Sequence, residues 1–238
     1  MKVILVRHAE SEKNIKKNFS SNQDKEELSY NGLKQAEDLA NNIYEYMIKH
    51  RYRYPEIFSA NTVRAYNTAK EIAKKLNTSI EVVDEFKSLK NGKKLVGLSE
   101  SEAQKVDAVF MNELALNRAG IFNAYKHTSN FSEEIIKEHE MAVYEKYLEI
   151  TKRIKTDVII IVLHHSSLTD IIINLAREYY GYPLNFYGVI NADLCHIYLF
   201  DHEKGRFELA NANSRELLSM STEGAGEPLG NAIKPDVR

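Results

Sequence analysis

Five short apolar runs rich in valine and isoleucine punctuate the chain, at residues 2–6, 56–59, 80–83, 158–163 and 194–200. None alternates strictly between apolar and polar, so each reads as a strand buried on both faces. Helical spacing fills the intervals. After Ser29, a natural cap, Leu33, Ala36, Ala40, Ile43 and Met47 recur every three or four positions, and Val63, Tyr66, Ala69, Ile72, Ala73 and Leu76 do the same after the second run. Strand followed by helix, repeated, predicts an α/β fold. Its form is a three-layer sandwich with a mostly parallel central sheet and helices on both faces.

The middle of the chain breaks this rhythm. Ser99 and Glu102 have the spacing of a capping box, and Ser132 opens a longer helix carrying Ile135, Ile136, His139, Val143, Tyr147, Ile150 and Ile154. Residues of about 99–154 therefore read as a helical insertion over the sheet edge, either a packed structural pair or a lid that contacts substrate. Residues of about 219–238 hold three of the ten glycines and two of the four prolines without periodicity, and read as a loop or a docking strap. With no repeat and no linker composition, residues 1–238 read as one domain.

Composition narrows the function. The 238 residues suffice for a large core without disulfide or structural metal. Lys and Arg number 32 against 34 Asp and Glu, a net charge of −2, and the signs are interspersed, which argues against a nucleic-acid surface. A single cysteine, Cys195, excludes an intramolecular disulfide and a cysteine-rich metal site. The apolar N-terminal stretch is too short for a signal h-region and no run is long enough to span a bilayer, so the expectation is a cytoplasmic protein without membrane contact.

In open α/β sheets ligands bind beyond the carboxyl ends of the strands. Four polar sets follow the apolar runs: Arg7, His8 and Glu10; Ser59 and Arg64; Asp84 and Glu85; His164 and His165. A parallel sheet brings all four to one edge. The residue types suit phosphoryl transfer through a covalent histidine. A neutral imidazole is a nucleophile near pH 7, two arginines bind phosphate oxygens in bidentate fashion, and a second imidazole stabilises the transferring group. A carboxylic acid then protonates the leaving oxygen, for which burial or the neighbouring Asp84 would hold Glu85 near the working pH, with Asp84 itself the substitute. Arg64 sits in the first turn of a helix, where a cation opposes the macrodipole unless an anion is bound there. No His-x-His or His-Glu-x-x-His spacing accompanies His164 and His165, so no metal and no cofactor is expected.

Arg7-His8-Ala9-Glu10-Ser11 with Asn14 resembles the Arg-His-Gly-Glu-(Thr/Ser)…Asn signature of the histidine phosphatase superfamily, in its phosphoglycerate mutase-like branch. Further blocks follow in order. Leu28-Ser29-Tyr30-Asn31-Gly32-Leu33-Lys34-Gln35-Ala36 resembles Leu-Thr-x-x-Gly-x-x-Gln-Ala, and Ser59-Ala60-Asn61-Thr62-Val63-Arg64-Ala65-Tyr66-Asn67-Thr68-Ala69 resembles Ser-Ser-x-Leu-x-Arg-Ala-x-Gln-Thr-Ala. Val83-Asp84-Glu85 resembles Leu-x-Glu, with Leu95-Val96-Gly97-Leu98 at the place of Trp-x-Gly-Leu. Leu163-His164-His165 resembles the strand leading into His-Gly-Gly, and Asn191-Ala192 a later Asn-Ala. The likeness covers residues 1 to about 100 and 157 to about 200.

The resemblance implies a phosphoglycerate mutase-like fold and a metal-independent phosphatase. By position, His8 is the residue phosphorylated, Arg7, Arg64 and His164 form the phosphate pocket with Asn14, and Glu85 is the proton donor. Two departures stand out: Ala9 and His165 replace glycines. Either His164 or His165 faces the phosphate, since neighbours on a strand point opposite ways, and alignment to the strand end selects His164, with His165 kept among the substrate-binding residues. The partner implied is a small phosphorylated molecule, with a phosphoprotein as the alternative; oligomeric state is open. Lys87, Lys90, Lys93 and Lys94, or Arg118, Lys126 and His127 in the insertion, offer cations for a second anionic group. Two other activities compete: a phosphomutase, disfavoured because Asp84-Glu85-Phe86 differs from the mutase acid block, and a non-catalytic phosphate-binding regulator, motivated by Ala9 and His165.

Overall fold

In the computed structural model, the residues described are 1–16, 19, 25–89, 94–109, 111–112, 133–182, 189–190, 192–220 and 233–234. The first strand, β1 (Lys2–Arg7), is fully buried from Val3 to Val6. It is followed by α1 (Glu12–Lys16), α2 (Tyr30–Lys49), β2 (Glu56–Ala60), α3 (Val63–Leu76) and β3 (Ile80–Val83), which runs into a 3-10 turn at Asp84–Phe86. Then come α4 (Glu100–Val106), α5 (Glu133–Arg153), β4 (Val158–Leu163), α6 (His165–Tyr180), β5 (Val189–Ile190), β6 (Ile197–Asp201), β7 (Arg206–Ala212), α7 (Ser214–Ser219) and β8 (Ile233–Lys234).

Six strands form one sheet in the order β3-β2-β4-β1-β6-β7. β4, whose six residues are all buried, runs down its middle, parallel to β1 on one side and β2 on the other, while β3 extends the parallel part. β6 and β7 close the far edge antiparallel, so the sheet is mixed and mostly parallel. α3 packs on β2 and β4 and against α2, which also meets α7, whereas α5 packs on α6, which lies against β1. The sheet thus has helices on both sides, as the alternating pattern predicts. The register aligns the strand ends: Arg7 lies beside Leu163, Ser59 beside Val162 and Ala60 beside Val83.

Two sequence readings are corrected, and one strand, β7, is not predicted by the sequence pattern. The run at 194–200 becomes a strand only from Ile197, because Cys195 takes a left-handed turn at φ 60°. β7 lacks an apolar run and is held mainly by Phe207, Leu209 and Ala212 opposite β6. Leu33, Tyr66 and Ile135, assigned to inward stripes, are 48%, 40% and 48% exposed, since the buried face of α2 runs instead through Ala36, Leu39, Ala40, Ile43 and Met47.

The capping box forms at Ser99 and Glu102, and Ala103 of α4 joins Phe19, Leu95 and Met111 in a small cluster of its own. α5 belongs to the main core through Val143, Tyr147 and Ile150. Within the tail, Ile233–Lys234 pairs antiparallel with Val189–Ile190. Ser132, Lys90, Lys93, Arg118, Lys126, His127 and Asn191 lie outside the described residues.

Candidate active site

The carboxyl ends of β1, β2 and β4 deliver the central residues side by side. His8 leaves β1 with its backbone N–H on the Leu163 carbonyl at 3.0 Å, so it emerges beside the end of β4. The residue is 4% exposed. Nδ1 donates to the Ala9 carbonyl at 2.7 Å, which fixes the tautomer and leaves the Nε2 lone pair outward, where Arg64 Nε donates to it at 3.2 Å.

Arg64, 3% exposed, reaches from the first turn of α3. Its Nη2 donates to His164 Nδ1 at 3.2 Å, and His164 Nε2 donates to the Thr62 hydroxyl at 3.0 Å. One guanidinium therefore bridges two imidazoles whose centroids are 4.9 Å apart. Burial holds the His8 imidazole well below its ordinary pKa, helped by the charges of Arg64 and Arg7 and by His164. His164 is held well below for the same first reason, with Arg64, Lys13 and Arg7 contributing. Both rings are therefore neutral at physiological pH, His8 with a nucleophilic Nε2 and His164 with its one N–H on Thr62 and its Nδ1 lone pair on Arg64.

Arg7, half-buried, donates through Nη1 to the Ala192 carbonyl. The positive ends of α3 and α6 open on the same edge, His164 being the N-cap of α6. His165 is the first residue of that helix and half-buried; neither it nor Ala9 has positive φ. Both glycine replacements thus sit in backbone that any residue adopts. His164, rather than His165, joins His8 and Arg64. Asn14 accepts from the Ser11 N–H and hydroxyl at 3.0 and 2.7 Å through Oδ1, which leaves its amide N–H as the donor.

Other motif residues turn out to hold the frame. Glu10 accepts from the Ser29 hydroxyl at 2.6 Å and its N–H donates to Gln35 at 2.9 Å. Ser29 caps α2 by accepting from the Gly32 N–H at 2.9 Å. Gly32 is there because α2 presses on this segment: a Cβ would stand 1.9 Å from the Glu10 carbonyl oxygen. Thr68 accepts from the Ala9 N–H at 3.0 Å and donates to the Arg64 carbonyl at 2.8 Å, coupling α3 to the segment after His8. Neither Thr62 nor Thr68 stands out in the sequence except as a member of the Arg64 block. Ser59 is buried with its hydroxyl on the Ala60 carbonyl.

Glu85 differs most from expectation. It sits in the turn after β3, with β2 and β4 between it and β1, its side chain 41% exposed and paired with Lys146 at 3.6 Å. It is not buried. Asp84, also on the surface, is held below the usual carboxylate range by Asn61, at 2.6 Å, and Lys87, at 3.2 Å, the direction opposite to the raised value that a general acid needs. Lys87 is therefore committed to Asp84, while Lys94 is exposed.

Among the described residues, no group of three or more His, Cys, Asp or Glu is arranged to hold a metal ion, and no helix is long and apolar enough to cross a membrane. No curated protein sequence matches the chain. Solved structures match it along most of its length. A phosphoserine phosphatase from Entamoeba histolytica, crystallised with 3-phosphoglyceric acid, is 21% identical with a TM-score of 0.62, over 89% of this chain and 97% of that one. A mycobacterial glucosyl-3-phosphoglycerate phosphatase is 16% identical with a TM-score of 0.65, over 89% and 99%. A putative alpha-ribazole-5'-P phosphatase from Escherichia coli is 16% identical with a TM-score of 0.62, over 90% and 98%. These likenesses establish the fold, which is that of phosphoglycerate mutase-like histidine phosphatases. The sequence model of the histidine phosphatase superfamily (branch 1) matches residues 3–215, so the paired imidazoles around Arg64 lie in a chain that belongs to that superfamily.

Proposed function

We propose that this protein is a phosphatase that hydrolyses a small phosphomonoester through a phosphohistidine on His8. The observation that carries this reading is the fixed tautomer of His8: Nδ1 is spent on Ala9, and Nε2 faces Arg64, which also holds His164. Arrival of the phosphate draws the Arg64 guanidinium off Nε2 and onto phosphoryl oxygens. The lone pair then attacks phosphorus as the ester P–O bond breaks, and Glu85, as the acid, gives its proton to the leaving oxygen. In the second half Glu85, now a carboxylate, takes a proton from water, whose oxygen attacks phosphorus. The P–N bond breaks, inorganic phosphate leaves and neutral His8 returns. Arg7, Arg64 and the Asn14 amide hold the equatorial oxygens throughout, His164 keeps Arg64 at the pocket through Nδ1, and His165 lies beside them at the start of α6. This scheme uses no metal.

Three solved neighbours carry phosphatase names, for phosphoserine, glucosyl-3-phosphoglycerate and alpha-ribazole-5'-P, which supports a small phosphorylated substrate. The test is hydrolysis of aryl and sugar phosphates in excess chelator by the wild type and His8→Ala, with acid-labile phosphate on the wild-type protein trapped by rapid quench. Chelator-resistant turnover that vanishes in His8→Ala is expected. A folded wild type that binds phosphate esters without turning over any would establish the regulatory alternative instead, and phosphate returned to a second hydroxyl rather than to water would establish a mutase.

A further inference from the structure

We propose that His139 of the insertion, anchored by Asp170, is a positioning residue for the proton donor, holding the Glu85 turn in place through the Lys87 carbonyl. This rests on the reading of Glu85 as the acid.

The turn at Asp84–Phe86 is exposed at Glu85, and among the described residues no strand lies beyond it, since β3 is the sheet's edge. Something else must fix a carboxyl that has to reach across two strands. α5 grips the turn from one face. His139 Nε2 meets the Lys87 carbonyl at 2.8 Å, Lys146 Nζ lies 3.6 Å from Glu85, and Val143, between them on the helix, is fully buried in the same cluster as Phe86. Spacings of four and three residues put the three on one helix face. α6 holds the next residues: Ser166 Oγ pairs with Ser88 Oγ at 3.1 Å and accepts from the Leu89 N–H at 3.3 Å.

The chemistry of His139 makes this a specific clamp. Its Nδ1 lies 2.7 Å from Asp170 Oδ2, and the two side chains are 15% and 13% exposed. A carbonyl and an ionised carboxylate both only accept, so with Asp170 in its ionised form, which its burial opposes and the His139 bond and charge favour, the imidazole donates from both nitrogens and is the cation. Burial works against that charge, but the Asp170 bond and charge, the Lys87 carbonyl and Glu140 outweigh it and hold His139 above its ordinary pKa. The charged groups around it are Asp170 and Arg177 on α6, Glu140 on α5 and Lys87 on the turn; Arg177 pairs with Glu140, and Asn174 donates to Glu140 at 2.9 Å. The network is thus a polar seam between α5 and α6 with a bond to the backbone two residues beyond Glu85.

A leaving-group series separates positioning of an acid from general support of the fold. 4-Nitrophenolate leaves without protonation, whereas phenolate needs the acid. The experiment measures kcat/KM for 4-nitrophenyl and phenyl phosphate with the wild type, His139→Ala, Asp170→Ala, Asp170→Asn and Glu85→Gln, all as full chains. The expected result is a loss of about 10- to 100-fold on phenyl phosphate and no more than about threefold on 4-nitrophenyl phosphate for His139→Ala, Asp170→Ala and Glu85→Gln. Asp170→Asn keeps both activities within about threefold, because the new amide donates to Nδ1 and a neutral imidazole keeps its Nε2–H on Lys87. Equal losses on both substrates, or none, in His139→Ala and Asp170→Ala overturn the proposal while a selective Glu85→Gln leaves the acid assignment standing. A Glu85→Gln without selectivity overturns both. If His139→Ala does not fold, the Asp170 pair decides alone.

Discussion

His8 and His164 are the residues whose behaviour depends most on where the chain places them. Each is buried beside Arg64, and each is held well below the ordinary histidine pKa of about 6.5. Ring NMR of the free protein is therefore expected to show neither imidazole titrating near 6.5. Because Arg64 is among the causes, Arg64→Gln raises the His8 value, and it lowers kcat/KM by about 100- to 1,000-fold through loss of a donor to the phosphoryl oxygens. A His8 titration unmoved by Arg64→Gln would show that the two do not interact as described. Gly32 is decided by a different contact. Gly32→Ala drives a methyl into the Glu10 carbonyl, at a cost of about 2 kcal/mol or more despite alanine's better helix propensity, so the thermal midpoint falls by roughly 4–8 °C. The sequence displays these residues as motif members. It does not display their contacts: Glu10, Ser29, Gly32 and Thr68 hold the frame, while His8 and Arg64 pair with each other and with His164 at the strand ends.

Among the elements, the parallel half of the sheet was legible because strands buried on both faces leave uninterrupted runs such as Val158–Leu163, and the helices were legible from their period and caps. The antiparallel edge was not. β7 carries polar residues at Glu208 and Asn211, and what makes it a strand is pairing with β6 together with an ion cluster that no local pattern encodes. Lys2 of β1 lies 2.7 Å from Asp201 of β6 and 2.5 Å from Glu208 of β7, and both carboxylates are almost fully buried. Lys2→Met leaves those carboxylates without that cation, with Lys204 still 3.0 Å from Glu208, and is expected to destabilise the protein by about 3 kcal/mol, read as a midpoint lower by roughly 6–12 °C. A change within 2 °C would mean that this cluster contributes nothing measurable to joining the strands. α5 was likewise read as one apolar stripe that included His139; its histidine instead bonds Asp170 and the Lys87 carbonyl.

At the scale of the molecule, the histidines tie stability to pH in opposite directions. His8 and His164 bind protons less readily folded than unfolded, so their contribution is present above about 6.5 and is lost as pH falls from there toward their lowered values. His139 binds its proton more readily folded, so its contribution is full below about 6.5 and is lost as pH rises through its raised value. Calorimetric midpoints between about pH 5 and pH 8 should accordingly fall on the acid side of 6.5, less so when both His8 and His164 are replaced by alanine. An acid side equally steep in that double variant would place the loss in other groups.

The sequence by itself determined the layered α/β fold, the strand ends where polar residues collect, and the ordered blocks that mark the superfamily. All of these follow from local spacing, which period, capping and side-chain chemistry fix within a few residues. Tertiary structure alone decided which nitrogen of His8 faces outward, that His164 and not His165 stands beside it, that Glu85 lies exposed against Lys146, and that Asp84 is held ionised. Those outcomes depend on burial and on charges contributed by residues far apart in the chain, and a buried charge's energy is set by its whole surroundings rather than by its neighbours in sequence.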